Sequence, residues 1–331
     1  MAEVVTTPTG LPWRTPLIVG PTAGGKSSLA VEVCRALAAQ QGGRGQPAEI
    51  VTADALQVYR GLDIGTAKPT EAERGGVPHH LIDLVDPESD EPFSLHDWLD
   101  AANACIADLD RRGVLPVVVG GTHLYAKSLL DGVFEGPEPD EALRDELRAM
   151  EAGERRAELE RVDPAAAERI HPNDERRTVR ALEVYRLMGT PISELQQQWD
   201  AAKPASRYLL VGLDWPTDAI NRRINARVRG MVEGGLVDEA RRLWEAGALG
   251  GQAGQALGYK QLVAHFEGRC SQAEAIERIK IETRRFAKNQ RTWLKRLRRT
   301  PGSTWIDATA GDPSEWAQAI VNKCLMDCGE A

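Results

Sequence analysis

Eight consecutive residues constrain this chain more than any others. Gly20, Pro21, Thr22, Ala23, Gly24, Gly25, Lys26 and Ser27 satisfy the spacing G-x-x-x-x-G-K-[ST]. Leu17, Ile18 and Val19 precede them as a short apolar run, and Leu29, Ala30, Val33, Cys34 and Leu37 follow at helical spacing. The motif therefore lies between a strand and a helix, the context its mechanism needs. Backbone amides of such a loop converge on an anion, the helix N-terminus adds partial positive charge, and Lys26 adds a full one. The Ser27 hydroxyl is positioned for a magnesium ion. The expected ligand is a phosphate or pyrophosphate bound by Gly20, Thr22, Ala23, Gly24, Gly25, Lys26 and Ser27, and nothing narrower, because kinases, hydrolases and transferases share this loop.

A second strand at Ile50 and Val51 leads into Asp54. In open α/β sheets the carboxyl ends of strands face the ligand crevice, so Asp54 is expected near whatever Lys26 holds; a helix-capping aspartate is the alternative. A third strand, Val117, Val118 and Val119, ends in Gly120, Gly121 and Thr122, where paired glycines permit close backbone approach and Thr122 offers a hydroxyl. No Asp or Glu closes that strand, which argues against an ATP-hydrolysing motor with its magnesium-holding acid there.

From Gly132 to Pro204 the composition shifts to Ala, Glu, Arg and Leu with helical spacing, opened by Gly136 to Pro139 and closed by Ala201 to Pro204. An apolar strand returns at 208–213. The expected fold class is α/β: a P-loop parallel-sheet core (1–133 and 206–331) with a helical insertion domain (134–205), and a catalytic cleft between them. Residues 40–47, polar and glycine-rich, read as a loop.

The 331 residues, 42% hydrophobic, suffice for a large core, while the longest apolar runs are far too short to span a bilayer and the N-terminus lacks a signal-peptide layout. A cytoplasmic protein without membrane contact is expected. Five scattered cysteines (Cys34, Cys105, Cys270, Cys324, Cys328) contain no C-x-x-C pair and read as buried thiols. His79, His80 and His171 have no third ligand at metal spacing, and Trp199, Trp215 and Trp244 read as packing residues.

The net charge of −8 argues against indiscriminate nucleic-acid coating, but the basic surface is local. Arg284, Lys288, Arg291, Lys295 and Arg298 step by four and three onto one helical stripe, with Phe286, Trp293 and Leu297 on another that can pack on the core. Arg176, Arg177, Arg180 and Arg186 form a second cluster in the insertion. Two basic surfaces suit the phosphate backbone of a folded RNA, and a solvated helix face is the bland alternative.

Together the segments resemble one family, the tRNA dimethylallyltransferases. The resemblance is carried by Gly20 to Ser27, Asp54 to Pro69, Pro78 to Asp83, Val119 to Tyr125, Ile170 to Asp174, Arg177 to Glu183, Leu257 to Lys260 and Thr283 to Trp293, in family order. Ala55 stands where Ser is common, and Gln255 where Arg is common. The resemblance implies transfer of a dimethylallyl group from dimethylallyl pyrophosphate to N6 of an adenosine beside the tRNA anticodon. It implies Asp54 as proton acceptor, Thr122 near the leaving oxygen, Arg223 on the pyrophosphate, magnesium as cofactor and a monomeric enzyme. Gln57, Gly258, Tyr259, Lys260, Arg284, Lys288 and Arg291, with Arg176, Arg177 and Arg180, would contact tRNA. An adenylate prenyltransferase acting on free AMP, ADP or ATP, a P-loop small-molecule kinase and a non-catalytic RNA-binding module are the rival readings.

Overall fold

The structure, a computed structural model, describes residues 13–39, 47–89, 93–132, 136–200 and 207–326. Residues 40–46 and 201–204, Cys328 and the side chain of Trp199, all named above, lie outside the described portion. The chain divides into two compact units, residues 1–130 with 205–331 and, separately, Asp131–Pro204.

The first unit is built on six parallel strands: β1 (Thr15–Val19), β2 (Ala48–Thr52), β3 (His79–His80), β4 (Leu115–Gly120), β5 (Tyr208–Asp214) and β6 (Thr304–Asp307). Their order is β3-β2-β4-β1-β5-β6. Strands β1, β4 and β5 are buried along nearly their whole length, as near-continuous apolar runs in a sheet covered on both faces must be. Helices α1 (Lys26–Ala39), α2 (Glu71–Arg74), α3 (Leu95–Arg111) and α4 (His123–Asp131) accompany the first four strands. The chain leaves β1 toward β2 on one side, whereas β5 leads to β6 on the other. The connections diverge at the centre of the sheet, which opens a crevice at the carboxyl end of β1.

Val117 to Val119 belong to the fourth strand in chain order, not the third. The missed β3 has only two residues, too few for any periodicity, and the missed β6 is a partly exposed edge strand, Thr-Trp-Ile-Asp, without an apolar run.

The second unit holds α5 (Glu141–Ala149), α6 (Ala152–Val162), α7 (Pro164–Arg169), α8 (Glu175–Met188) and α9 (Ile192–Asp200) around its own core of Leu147, Leu159, Val179, Leu182 and Val184. Asp140, Asp163 and Asp174 each cap a helix start. After β5, α10 (Thr217–Glu233), α11 (Leu236–Glu245), α12 (Tyr259–Phe266) and α13 (Gln272–Leu297) pack through Ile220, Ile224, Leu236, Tyr259 and Ile279. Helix α14 (Pro313–Met326) contributes Ile320 and Val321 to the sheet core.

Candidate active site

The loop after β1 is braced from several directions. Gly24 N–H turns back to the Pro21 carbonyl at 3.1 Å, and a Cβ at Gly24 would lie 2.8 Å from that oxygen. Ala23 and Gly25 take φ of 60° and 86°, the left-handed values that swing successive amides to one side. The loop carbonyls are held by side chains from far along the chain: Trp215 Nε1 donates to Gly24 O at 3.0 Å and Arg223 Nε donates to Ala23 O at 2.8 Å. Gln290, on α13, accepts from Thr22 N–H at 2.8 Å and donates to Gly121 O at 3.0 Å. With the carbonyls engaged, the amides of Gly25, Lys26, Ser27 and Ser28 at the head of α1 donate to no carbonyl among the described residues, and they form the anion cradle.

Lys26 Nζ donates to Pro21 O at 2.8 Å. Part of its surface still reaches solvent, but the ammonium is enclosed by protein. Burial first, then the charge of Arg227, brings its pKa down to about 8, with Asp54 opposing. Arg223 stacks over the Trp215 ring at 4.7 Å, which aims its guanidinium across the loop while leaving it exposed. Arg227, one turn later on α10, has no ion-pair partner among the described residues. Burial, then Arg223, lowers its pKa, and Asp54 and Glu73 oppose this. Three cations with so little protein counter-charge fit a polyanionic ligand.

Asp54 emerges from β2 beside this cluster. Its Oδ1 accepts from Leu56 N–H at 2.9 Å and Gln57 N–H at 3.4 Å, so the capping geometry weighed against a catalytic role is present. It occupies one carboxylate oxygen. Thr122 Oγ1 accepts from Ala55 N–H at 3.0 Å, and Thr122 N–H donates to Ala53 O at 3.2 Å, clipping the loop after β4 to the loop after β2. Gly120 is required there: a Cβ would lie 1.9 Å from the Ala53 carbonyl oxygen. A Cβ at Gly121 would sit 3.7 Å from Lys26 Nζ. Asp54, Thr122, Lys26 and Arg223, expected together from the sequence, thus share one end of the sheet.

His123, at the head of α4, is buried and its ring donates to the Gly20 carbonyl; burial and then Lys26 push its pKa down to about 3, so the imidazole is neutral. His80 bonds Glu49 at 2.6 Å and His79 Nδ1 bonds Val77 O at 2.8 Å. No group of three or more His, Cys, Asp or Glu residues is arranged to hold a metal among the described residues.

The expected RNA-contacting residues behave unevenly. Tyr259 requires correction: it is fully buried, its hydroxyl 2.6 Å from Glu239, so its side chain cannot meet an RNA. Gly258, at φ 100°, turns the chain into α12. Gln57 is buried, with Nε2 donating to Thr66 O and Ala67 O, each at 3.3 Å. Lys260 pairs with Glu282 at 3.0 Å. On α13, Arg284 bonds Asn225, Arg291 bonds Thr217 and Arg298 bonds Asp214, leaving Lys288 and Lys295 as the exposed members of the stripe with no partner among the described residues. Phe286, expected on the core, is 43% exposed, because α13 buries the arc marked by Ala287, Gln290, Leu294 and Leu297 instead. In the insertion, Arg180 is tied to buried Glu183 at 2.6 Å and Arg186 to Glu146 and Glu158, while Arg177 lies 3.4 Å from Asp174 and Arg176 is exposed. That cluster is less basic than its sequence because carboxylates answer it, three residues away for Arg177 and Arg180 and far along the chain for Arg186.

Arg227, Gln290 and His123 were not assigned to the site from sequence. Arg227 stands four residues after Arg223 on the same helix face, which was a usable signal. Gln290 and His123 act across folds of the chain and carry none.

Comparison with known proteins relates the whole chain to one family. The family model described as IPP transferase matches residues 57–297. The tRNA dimethylallyltransferase of Roseiflexus sp. (strain RS-1) is 46% identical over 316 residues, 93% of this chain and 97% of its own length. That of Geobacillus kaustophilus is 43% identical, covering 93% and 94%. The crystal structure of the full-length tRNA isopentenylpyrophosphate transferase of Bacillus halodurans superposes with a TM-score of 0.66 at 38% identity, covering 94% of this chain and 96% of that one. A eukaryotic dimethylallyltransferase acting on tRNA superposes with a TM-score of 0.74 at 28% identity, over 91% and 75%. With a phosphate loop, an adjoining carboxylate and relatives of this extent, the chain belongs to the IPP transferase family, that of the tRNA dimethylallyltransferases.

Proposed function

We infer that the protein transfers the dimethylallyl group of dimethylallyl pyrophosphate to N6 of an adenosine next to the anticodon of tRNA, releasing pyrophosphate. The observation that carries this reading is the meeting of Lys26, Arg223 and Arg227 over the amide cradle with the Asp54 carboxylate beside them. The reaction breaks the allylic C1–O bond and forms C1–N6. The bonding pair leaves with pyrophosphate, and one N6 proton passes to a base. Charge growing on the leaving group meets fixed amide dipoles and cations, which need little reorganisation as the bond breaks. Asp54 Oδ2 is free of the turn that engages Oδ1 and is the proton acceptor in this reading. Thr122, clipped to Ala55, borders the leaving oxygen.

The residues present fit a magnesium ion. Ser27 presents an exposed hydroxyl at the head of α1 that would hold the ion, and pyrophosphate oxygens and water would supply the remaining ligands, as magnesium prefers. When bound, the ion neutralises charge on the pyrophosphate. For RNA, Lys288, Lys295 and Arg176 supply exposed cations for phosphates. No helix among the described residues is long and apolar enough to cross a membrane, and a tRNA substrate supports a cytoplasmic location. The test incubates the protein with magnesium, labelled dimethylallyl pyrophosphate and either unmodified tRNA or AMP. Label in tRNA alone is expected; label in AMP alone would establish the free-nucleotide prenyltransferase instead.

A further inference from the structure

Glu239 of α11 is a carboxylate only 4% exposed, yet it pairs with no cation among the described residues. Four donors meet it: the backbone amides of Asp63 (3.2 Å), Ile64 (3.0 Å) and Gly65 (3.2 Å), and the Tyr259 hydroxyl (2.6 Å). Gly65 N–H also reaches the Tyr259 oxygen at 3.1 Å, and a Cβ on Gly65 would fall 2.4 Å from the Tyr259 ring, so only glycine fits. The far end of the same loop is fixed by Lys68, which donates to Tyr59 O, Asp63 and Asp83 at 2.9, 2.6 and 2.5 Å. Glu239 thus holds the first half of a loop whose next two carbonyls, Thr66 O and Ala67 O, both accept from Gln57 Nε2.

Each of those 3.3 Å bonds is weak alone, but together they settle which way the carboxamide faces. Flipping it would set Oε1 against two carbonyl oxygens. In the observed orientation Nε2 donates to both carbonyls, and Oε1 has no protein partner among the described residues. Gln57 lies in the same turn as Asp54, whose Oδ1 accepts its backbone N–H. The turn that carries Asp54 thus also carries a carboxamide oxygen able only to accept.

We propose that Glu239 is a positioning residue: by fixing the 63–67 loop it locks Gln57 with its carbonyl oxygen facing the acceptor base, so that the site admits an exocyclic amine and rejects a keto oxygen. This rests on the adenosine reading above. The two N6 hydrogens of adenine have two acceptors, Asp54 and Gln57, whereas the O6 of inosine meets two acceptors and no donor. A site built to hydrogen-bond an amine discriminates strongly because the mismatched partner leaves acceptors facing each other.

The experiment measures binding of the full-length protein to two anticodon stem-loop RNAs, identical except for adenosine or inosine at the acceptor position, with dimethylallyl pyrophosphate affinity and thermal unfolding as controls. Wild type is expected to favour adenosine by at least about tenfold. Glu239→Gln, which loses the charge and turns an amide toward the loop N–H groups, should lower the ratio several-fold, Asp54 still opposing the keto oxygen, while donor affinity holds. Tyr259→Phe, a gentler cut of the same network, should lower the ratio partway and covers failure of the first variant to fold. Combining Glu239→Gln with Gln57→Leu should lower the ratio no further than Gln57→Leu alone, since both act through one carboxamide. A merely structural role would weaken both RNAs in proportion, and an unchanged ratio in a folded Glu239→Gln or Tyr259→Phe variant overturns the proposal. Wild type that binds neither RNA would instead overturn the adenosine reading beneath it.

Discussion

Lys26 is held in a state that the folded protein alone does not favour. Its pKa falls from 10.5 to about 8, so the charged form is penalised in the fold. The stability this lysine contributes is complete above pH 10.5, is lost as pH falls toward 8, and stays lost below that. At pH 7 the full penalty applies, about 3 kcal/mol by the usual conversion of 1.36 kcal/mol per pH unit. Lys26→Met should therefore stabilise the ligand-free protein at pH 7 by about 1–2 kcal/mol, after the lost bond to Pro21 O is discounted, while removing donor binding. Urea unfolding and calorimetric titration check both halves; a destabilised variant contradicts the argument. Because bound pyrophosphate favours the ammonium, wild-type donor affinity should fall as pH rises above about 8, with proton uptake visible as a buffer-dependent binding enthalpy. Asp54→Asn preserves Oδ1 for Leu56 and Gln57 and removes only the base, so turnover should drop on the order of 10²-fold with tRNA affinity nearly unchanged; near-normal turnover would take Asp54 out of that role. Lys26, Ser27 and Asp54 were legible in sequence because their chemistry is local to a loop or a strand end. Gln290 was not, because its meaning is a contact 268 residues away in the chain, with Thr22.

Among the elements, strands buried on both faces announced themselves as apolar runs, whereas β3 and β6 at the sheet edges need fewer apolar residues and left no such mark. Helix α13 shows the same limit more sharply. Its four-three stepping of cations was legible, but the pattern could not say which of them the fold would use. Arg284, Arg291 and Arg298 brace α13 against Asn225, Thr217 and Asp214, and Lys288 and Lys295 remain. The phosphate contacts of this helix should rest on those two lysines. Lys288→Glu combined with Lys295→Glu should weaken tRNA binding and reduce the slope of log affinity against log salt by about 2, leaving donor binding intact. The check is tRNA affinity at several salt concentrations. Equal slopes for variant and wild type would place the RNA on another face of the molecule.

At the scale of the whole molecule, the insertion has the attributes of a separate folding unit. Leu147, Leu159, Leu182 and Val184 form its core from α5, α6 and α8, while the sheet unit closes on Leu17, Ile18, Val117 and Val211 without them. Glu183 adds a polar centre, buried and answered by Arg144 at 2.9 Å and Arg180 at 2.6 Å. A core this small gives little margin, since surface scales against small domains. Leu182→Ala, at a fully buried position, should cost about 3 kcal/mol, most of it within the insertion. The loss should appear as raised hydrogen exchange across 141–188, with β1, β4 and β5 still protected. Donor titration should be unchanged, because every P-loop brace comes from the sheet unit: Trp215, Arg223, Gln290 and His123. Prenyl transfer to tRNA should nevertheless fall several-fold if Arg176 on α8 contacts the RNA as inferred. Loss of protection in β1 together with the insertion would show instead that the two units unfold as one.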